Sequence, residues 1–271
     1  MSTRVPIRKA LTIAGSDSGA GAGIQADLKT FAALGVYGTS AVTAVTAQNT
    51  VGVLRAVALS PAIVAAQIDA VVRDIGTDAV KTGMLANAEI IVAVAERIRA
   101  HGLPRLVIDP VMVAKSGDRL LRRDAIDALR RRLIPLATVV TPNLPEAEAL
   151  TGLELKNAAA IREAARRIVA MGARSALIKG GHRRGPAIDL LYDGKGFYEL
   201  RAARVRTRHT HGTGCTFSAA IAAHLAKGET LLAAARHAKR FITAALRGGF
   251  AIGAGHGPVH HFYALWRPPK H

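Results

Sequence analysis

Residues 138–147 read Thr138-Val139-Val140-Thr141-Pro142-Asn143-Leu144-Pro145-Glu146-Ala147, a short apolar run that leads through a polar turn into the start of a helix. Two similar runs flank it in the chain, Leu106-Val107-Ile108-Asp109 and Ala176-Leu177-Ile178-Lys179. Short apolar runs that do not alternate with polar residues are typical of parallel strands buried on both faces. The stretch therefore indicates a sheet that is covered by helices on both sides.

Helix-like segments separate these runs and continue outward from them. Apolar residues repeat on one helical face within residues 64–75, 90–98 and 161–168, with polar residues between them. Strands that alternate with amphipathic helices predict an α/β fold with a doubly wound, mostly parallel sheet. Because the chain has no repeat, linker or break in composition, we expect a single domain over residues 1–271.

Further strands are expected towards both ends of the chain. Residues 11–14 predict a first strand that ends at Gly15, and residues 40–47 predict another. Two strand-like runs surround the turn Asp193-Gly194-Lys195-Gly196, which indicates a hairpin at the edge of the sheet.

Composition is typical of a soluble globular protein. Half of the 271 residues are hydrophobic, and the longest uncharged segment, residues 30–54, contains too many glycine and polar residues for a membrane span of about 20 residues. The basic start, residues 1–10, is followed by no long apolar segment, so we expect no secretory signal. A single cysteine allows no internal disulfide and suits a reducing compartment, which predicts a cytoplasmic protein.

The net charge of +18 points to a different class of function. A strongly basic chain attracts nucleic acid, anionic membranes or phosphorylated metabolites. Here the arginines are scattered over the expected helices, and only 4% of the residues are aromatic, so side chains that could stack on bases are scarce. We therefore expect a solvated basic surface with neither nucleic acid nor membrane as a partner, and a basic nucleic-acid-binding protein stays an alternative.

A glycine-rich turn, residues 15–23, lies between the first strand and a helix expected over residues 24–34. Glycines let the backbone approach a ligand, and the start of a helix favours anions. The glycine spacing does not match Gly-x-Gly-x-x-Gly, no acidic residue occurs within residues 29–54, and no Walker-type motif is present, which disfavours a dinucleotide-dependent oxidoreductase. An ordinary tight turn explains the segment equally well.

The segment His211-Gly212-Thr213-Gly214-Cys215-Thr216-Phe217 opens an alanine-rich helix. The N–H groups of Gly212, Thr213 and Gly214 would form a hole for a phosphate anion at the start of this helix. Cys215 stands where the helix dipole and these amides are expected to lower the pKa of a thiol. The alternative is a small buried apolar cysteine, and the adjoining glycines favour the functional interpretation.

Polar residues also follow the three apolar runs. Asn143 and Glu146 form either a helix capping box or a set of polar groups that holds water around Mg²⁺. Lys179 is either a partner for nucleotide phosphates or an ordinary strand end, and Asp109 is either a polar stop or a carboxylate of a magnesium site. Because ligands bind beyond the carboxyl ends of parallel strands, these side chains are candidates for one site.

Three histidines near the end of the chain, His256, His260 and His261, invite interpretation as a metal site. No cysteine or carboxylate cluster stands near them in the sequence. We therefore expect this segment to pack on the fold.

Taken together, these segments resemble the hydroxymethylpyrimidine/phosphomethylpyrimidine kinases of thiamine biosynthesis, within the ribokinase-like superfamily. The resemblance spans nearly the whole chain and includes several motifs in the same order. They are residues 10–17 and 23–30, Thr46-Ala47-Gln48-Asn49-Thr50, Lys81-Thr82-Gly83-Met84-Leu85, Ala114-Lys115-Ser116-Gly117-Asp118, and residues 141–147, 179–182, 211–216 and 257–262. The resemblance implies a homodimer that uses ATP and Mg²⁺ to phosphorylate 4-amino-5-hydroxymethyl-2-methylpyrimidine, and then its monophosphate to the pyrophosphate.

The resemblance also implies a role for each candidate residue. The pyrimidine pocket would be formed by Gln48, Asp27, Gly15, Ala22, Met84 and Val111. The anion hole would be Gly212, Thr213 and Gly214, with Cys215 accepting the hydroxyl proton, while Lys179, Asn143 and Glu146 would bind ATP and Asp109 and Glu146 would bind Mg²⁺.

Gln48 carries the expected choice of substrate. Its amide offers one donor and one acceptor, which complement the amino group and a ring nitrogen of an aminopyrimidine. Related pyridoxal kinases tend to carry methionine at this position, so Gln48 favours the pyrimidine, and a vitamin B6 kinase stays the alternative.

Overall fold

A computed structural model of the chain describes residues 6–112, 123–181 and 186–266, so the motif at residues 114–118 and His182 lie outside the described residues. Within these ranges nine strands form one sheet. They are β1 (Lys9–Asp17), β2 (Tyr37–Gln48), β3 (Val53–Ala58), β4 (Ala79–Thr82), β5 (Leu106–Ile108), β6 (Val139–Val140), β7 (Ala176–Ile178), β8 (Ala187–Tyr192) and β9 (Phe197–Ala202).

Eight α-helices lie among the described residues, six of them between strands and two after β9. They are α1 (Gly23–Ala33), α2 (Pro61–Asp74), α3 (Ala88–Ala100), α4 (Arg123–Ala128), α5 (Leu144–Thr151), α6 (Ala158–Ala170), α7 (Thr213–Ala226) and α8 (Leu231–Arg247). A π-helical turn (Leu129–Leu133) and a 3₁₀ turn (Ile134–Leu136) follow α4. Five of the helices begin at a side chain that accepts a hydrogen bond from the first turn, namely Ser60, Asn87, Asn143, Asn157 and Thr230. No helix among the described residues is long and apolar enough to cross a membrane.

The sheet separates two hydrophobic cores, and strand β5 shows how. Successive side chains of a strand point to opposite faces, so Leu106 and Ile108 enter the core formed with α2 to α6, whereas Val107 enters the core formed with α1, α7 and α8. All three residues are at most 1% exposed. An apolar run without polar alternation is therefore what this position requires, as the sequence predicted.

The strand order β3-β2-β1-β4-β5-β6-β7-β8-β9 places a switch point between β1 and β4, where the chain turns from building one half of the sheet to the other. Strand β1 pairs in parallel with both β2 and β4, and the parallel ladder continues from β4 to β7. The remaining strands, β3, β8 and β9, are antiparallel. The carboxyl ends of the parallel strands consequently share one edge of the sheet.

The α/β fold with a doubly wound, mostly parallel sheet is confirmed, as is the hairpin of β8 and β9 at the sheet edge. The predicted end of the first strand at Gly15 is wrong. Strand β1 continues to Asp17 with a shift in register between Ala14 and Ser16. This irregularity in β1 carries the end of the strand beyond the glycine and into the region of the candidate site.

Candidate active site

A cavity of about 1090 Å³ opens at the carboxyl edge of the parallel strands. It is lined by residues that follow β1, β4, β5, β6 and β7 and by the N-terminal turn of α7. The candidate residues that line it are Gly15, Ala22, Gln48, Met84, Asp109, Val111, Asn143, Glu146, Lys179, Gly212, Thr213, Gly214 and Cys215. Of the predicted site residues, only Asp27 is absent from its walls.

Asp17 organises the glycine-rich turn at one end of the cavity. Its carboxylate accepts hydrogen bonds from the backbone N–H groups of Gly19, Gly21 and Ala22 at 2.8–3.1 Å, and its Oδ2 lies 2.8 Å from Nε2 of His211. Burial opposes ionisation of Asp17, but these hydrogen bonds outweigh it and the pKa lies below its usual value. An ionised Asp17 therefore holds the turn and the His211 ring together.

Gln48 is half-buried at the same end of the cavity. Its Nε2 lies 3.5 Å from Nε2 of His211, and its Oε1 lies 3.2 Å from Oγ1 of Thr46. Gly15 lies on the neighbouring strand, where a Cβ atom would overlap the terminal methyl of Met84. This end of the cavity thus combines one amide with a flat apolar wall, which suits a small heteroaromatic ring.

Two glycine turns are in direct backbone contact beside this pocket. Gly212 has φ +80°, and a Cβ atom at this position would overlap the carbonyl oxygen of Gly21. A Cβ atom at Gly21 would in turn overlap the ring of His211. Both positions therefore require glycine, and the contact fixes the start of α7 against the turn that follows β1.

The N-terminal turn of α7 faces the middle of the cavity. Gly212 caps the helix without any side-chain hydrogen bond, so the first N–H groups of the helix, which have no intrahelical acceptor, are not satisfied by a capping side chain. Residues Thr216 to Ala226 are all buried, which makes α7 the central helix of its layer. The N–H of Thr213 donates to the carbonyl oxygen of Thr210 at 3.2 Å, whereas no side chain caps the turn, so this rigid helix start suits a phosphoryl group.

Cys215 lines the cavity within this turn, but the expected lowering of its pKa is wrong. Burial raises the pKa of the thiol to about 11, and the neighbouring Lys81 offsets this only in part. At neutral pH the side chain is therefore a protonated thiol. Loss of water, reinforced by Asp27 and Asp109, outweighs Lys81, and none of these neighbours could be read from the local motif.

At the other end of the cavity, Lys179 pairs with two carboxylates. Its Nζ lies 2.8 Å from Oδ1 of Asp109 and 3.8 Å from Oε2 of Glu146, and Ser218 donates a hydrogen bond of 3.3 Å to Oδ2 of Asp109. Burial opposes the charge of Lys179, but Asp109 and Glu146 outweigh it and raise the pKa of the ammonium. Lys179 is thus a permanent cation at the wall of the cavity.

Glu146 belongs both to a helix cap and to the cavity. Its carboxylate accepts a 2.7 Å hydrogen bond from the N–H of Asn143, and the Asn143 side chain accepts a 2.9 Å bond from the N–H of Glu146. The capping box is therefore present, as one of the two interpretations of these residues required. Burial, reinforced by Asp109, raises the pKa of Glu146 to about 7 despite the neighbouring Lys179.

Asp27 is the one candidate residue that does not line the cavity. It is fully buried, its two carboxylate oxygens lie 3.0 and 2.8 Å from Nζ of Lys81, and Oγ1 of Thr12 donates a 2.6 Å hydrogen bond to it. With these partners it is enclosed behind the cavity wall. The expectation of direct substrate contact is corrected accordingly.

The histidines of the terminal segment pack on the fold, as expected. His260 and His261 are 2% and 4% exposed, and burial lowers the pKa of His261 to about 3. The neutral His261 ring lies 2.9 Å from Oγ1 of Thr216 on α7, whereas His256 lies near the carbonyl oxygen of Arg208.

Three residues of the site received no role from the sequence, namely Asp17, His211 and Lys81. Each of them belongs to a motif of the family resemblance, but its partner is distant in the chain. Asp17 and His211 are 194 positions apart, and Lys81 and Asp27 are 54 positions apart. Lys239 and Asp189, which also line the cavity and pair at 2.6 Å, were missed for the same reason. No local spacing signals a pair of this kind.

The fold and cavity together define an enzyme of the ribokinase-like class, with a ring-sized pocket and a charged wall on either side of a helix N-terminus. The sequence model of the phosphomethylpyrimidine kinase family matches residues 17–260. The chain belongs to this family.

Individual relatives agree with this assignment. The chain is 53% identical over 255 residues to a hydroxymethylpyrimidine/phosphomethylpyrimidine kinase of Streptomyces coelicolor, which covers 94% of each chain. It is also 53% identical over 260 residues to the thiamine biosynthesis bifunctional protein ThiED of Geobacter sulfurreducens, covering 96% of this chain and 53% of that protein. The chain thus spans about half the length of the bifunctional relative.

Among solved structures, an ADP complex of Bacillus subtilis pyridoxal kinase has a TM-score of 0.89 and 44% sequence identity. The match covers 96% of this chain and 100% of that chain. The fold of the described residues is therefore that of the ribokinase-like vitamin kinases.

Proposed function

We propose that this chain transfers the γ-phosphate of ATP to the hydroxymethyl group of 4-amino-5-hydroxymethyl-2-methylpyrimidine, and then a second phosphate to the monophosphate, in thiamine biosynthesis. One observation carries the proposal. One cavity is lined by Gln48, by the first turn of α7 and by Lys179. Family membership supports the same reaction, since relatives with half of their residues identical are named for it.

Gln48 would select the ring. Its amide oxygen can accept from the exocyclic amino group while its NH₂ donates to a ring nitrogen, and Met84 with Gly15 provides the flat apolar surface. The hydroxyl of Thr46, 3.2 Å from the amide oxygen of Gln48, limits the rotation of the amide, and His211, held by Asp17, packs beside it. The pocket is thereby preorganised for one orientation of the substrate.

The chemistry rests on positioning and on charge. Phosphoryl transfer has a loose transition state in which the protein forms few covalent bonds, so amides and cations that surround the transferred group matter most. The first N–H groups of α7 would surround that group, and Lys179 would neutralise charge on the nucleotide side. Because its pKa of about 11 keeps Cys215 protonated at neutral pH, the thiol would orient the substrate hydroxyl by hydrogen bonding, and only its minor thiolate form would accept the hydroxyl proton during transfer.

The residues around Lys179 fit a magnesium ion. Mg²⁺ prefers oxygen ligands, and Asp109 and Glu146 provide two carboxylates at the nucleotide end of the cavity. The raised pKa of Glu146 reflects burial next to another negative charge, a condition that a divalent cation relieves. When bound, Mg²⁺ would supply neutralisation of the phosphate charge, with Asp109 and Glu146 as its protein partners.

The decisive experiment is product analysis after incubation with Mg-ATP and the hydroxymethylpyrimidine. We expect ADP release, and mass spectrometry should show products with one and two added phosphates. Pyridoxal serves as the competing substrate, because the Bacillus subtilis relative is a pyridoxal kinase. Efficient phosphorylation of pyridoxal without turnover of the pyrimidine would overturn the proposal in favour of a vitamin B6 kinase.

Two substitutions test the assigned roles. Gln48→Met should lower kcat/KM for the pyrimidine roughly 10²-fold or more, because the polar groups of the substrate lose their partners. Cys215→Ala should lower kcat by roughly 10²–10⁴-fold, the range for a group that handles a proton, and Cys215→Ser should retain more activity because it keeps a hydroxyl in place. An unchanged kcat in Cys215→Ala would make this cysteine a packing residue.

We also infer a cytoplasmic homodimer. The single cysteine supports the location. The dimer is supported by β3, an edge strand of the sheet, where apolar side chains are exposed on β2, β3 and the start of α2, namely Val45, Leu54, Val57 and Ile63. Leu54→Asp should yield a monomer in light scattering, whereas Leu265→Asp, at an exposed apolar residue of the C-terminal segment, should not.

A further inference from the structure

A cluster of two histidines and one glutamate lies at the C-terminal end of α7, away from the cavity. His224 belongs to the last turn of α7, Glu229 to the loop that follows, and His237 to α8. Their donor atoms all lie within 4.8 Å of one another. Since α7 rises 1.5 Å per residue, His224 stands about 14 Å along the helix axis from Cys215. None of the three residues lines the cavity.

The contacts within this cluster converge on the carboxylate of Glu229. Nδ1 of His224 lies 2.7 Å from Oε1 of Glu229, and Nδ1 of His237 lies 2.8 Å from Oε2. The two rings meet edge to face with their centroids 4.9 Å apart. The same ring nitrogen of each histidine therefore faces one carboxylate from opposite elements of the α7–α8 hairpin.

The two histidine contacts of Glu229 differ in alignment. The contact between His224 and Oε1 has hydrogen-bond geometry, whereas Nδ1 of His237 lies 2.8 Å from Oε2 without the alignment of a good hydrogen bond. A cation between the three donors would give Oε2 a better-placed partner.

The chemistry of the donor groups suits a metal. Two imidazoles and one carboxylate are a common ligand set for zinc, with water as the fourth ligand.

The two distances from the histidines to the carboxylate need only a small adjustment, and the two histidine nitrogens lie within 4.8 Å of each other. Ligand atoms of a tetrahedral zinc site are about 3.3 Å apart, because each lies about 2.0–2.2 Å from the ion. The present contacts of 2.7 and 2.8 Å would open by about half an ångström. The side chains of His237 and Glu229 are 36% and 26% exposed, so an ion can enter from solvent and the two side chains have room to move.

We propose that His224, Glu229 and His237 bind one divalent transition-metal ion, with zinc as the best fit, which clips α7 to α8. Nitrogen ligands disfavour Mg²⁺, so this site is chemically distinct from the magnesium carboxylates of the cavity. By joining the far end of α7 to its neighbour, the ion would stabilise the helix whose other end carries Gly212 to Cys215.

The test is zinc binding to the full chain without a histidine tag, after removal of metals with a chelator. Competition with a chromophoric zinc indicator should show one tightly bound ion per chain. Thermal denaturation should show a higher Tm with zinc than without it. Loss of a group that only supports a ligand commonly weakens binding about 10–100-fold, so Glu229→Gln and His237→Gln should each weaken it at least about tenfold. His101→Gln is the matched control, because His101 pairs with Asp69 at 2.6 Å outside the proposed site; it should bind zinc as the wild type does.

Cobalt provides a measurement on the unaltered protein. Co²⁺ at this site should show the intense visible absorption of a four-coordinate ion, without the thiolate charge-transfer band that Cys215 would add. Absence of stoichiometric binding, equal zinc affinity in Glu229→Gln, His237→Gln and the wild type, or a thiolate band would each overturn the proposal. Circular dichroism of the metal-free variants separates loss of the site from loss of the fold.

Discussion

Two buried lysine–aspartate pairs lie near the cavity, and they differ in exposure. Lys81 and Asp27 are 2.8 Å apart with both side chains fully buried, and we call them the closed pair, although Lys81 is part of the cavity wall. Lys179 and Asp109 are also 2.8 Å apart, but Lys179 keeps 14% of its side chain exposed and has Glu146 as a second carboxylate at 3.8 Å. We call this second pair the open pair.

The comparison shows that one ion pair can serve structure or function depending on its surroundings. In the closed pair, Lys81 and Asp27 replace water for each other, with a hydrogen bond from Thr12 to Asp27, so removing one partner leaves the other charge buried without its main partner. In the open pair, water or a phosphate can replace a lost partner. We therefore expect breakage of the closed pair to affect stability and breakage of the open pair to affect activity.

The largest expected effect comes from breaking the closed pair. Asp27→Asn or Lys81→Met alone should lower the free energy of unfolding by about 3–5 kcal/mol, because each leaves an uncompensated buried charge. The double variant Asp27→Leu with Lys81→Met should recover most of this loss. Urea denaturation measures both, and single variants as stable as the double one would show that the pair is not sealed from water.

The open pair should respond in the opposite manner. Lys179→Met should lower kcat/KM about 10²–10³-fold, the usual effect of removing one group that stabilises transferred charge, and it should cost less stability than Asp27→Asn. Lys156→Met, which removes a fully solvated ion pair with Glu154, is the control and should leave both quantities unchanged. Comparable stability losses at Lys179 and Lys81 would remove the distinction between the two pairs.

The pH dependence of stability tests the environment of Glu146, the second carboxylate beside the open pair. Its folded pKa of about 7 exceeds the ordinary value of 4.5, so between these values the folded protein binds more protons than the unfolded chain. The stability contribution of Glu146 is thus complete below about pH 4.5 and is lost as the pH rises through about 7. Glu146→Gln keeps a side chain that can complete the capping box. In denaturation at several pH values without Mg²⁺ or nucleotide, we expect this variant to lose less stability than the wild type over that range.

The smallest expected effect concerns Asn143, which holds Glu146 beside the open pair. Asn143→Ala should destabilise the protein by about 1 kcal/mol through loss of the N-cap, and Asn143→Ser should restore most of it. If the residue also serves nucleotide binding, as the resemblance implies, Asn143→Ser should regain stability but not the KM for ATP. Full recovery of both by serine would leave the cap as its whole role.

The elements that could be predicted from the sequence are those that neighbouring residues in the chain specify. The strand of residues 106–108 was found because burial on both faces requires an unbroken apolar run, and the start of α7 because glycines and a helix share a short segment. Strand β4 was missed because it contains Lys81, a charge in the interior that only its distant partner Asp27 explains.

The same limit applies to the site. Gln48, Met84 and Lys179 reach one cavity because neighbouring strands end at one edge, which the alternation of strands and helices already implies. The raised pKa of Cys215 and the burial of Asp27 depend instead on how much the helices packed on the sheet exclude water from each side chain. Burial of that kind arises from tertiary packing and has no signal in a short motif.

The backbone contact between Gly21 and Gly212 has a consequence for altering this enzyme. The turn that shapes the substrate end and the turn that starts α7 abut without any intervening side chain, so neither can shift independently of the other. Transplanting the first turn from another vitamin kinase, in order to change the accepted ring, would misplace the second unless both loops were exchanged together. A change in the turn that follows β1, made to alter substrate selectivity, would therefore also alter the turn at the start of α7 and with it the rate of phosphoryl transfer.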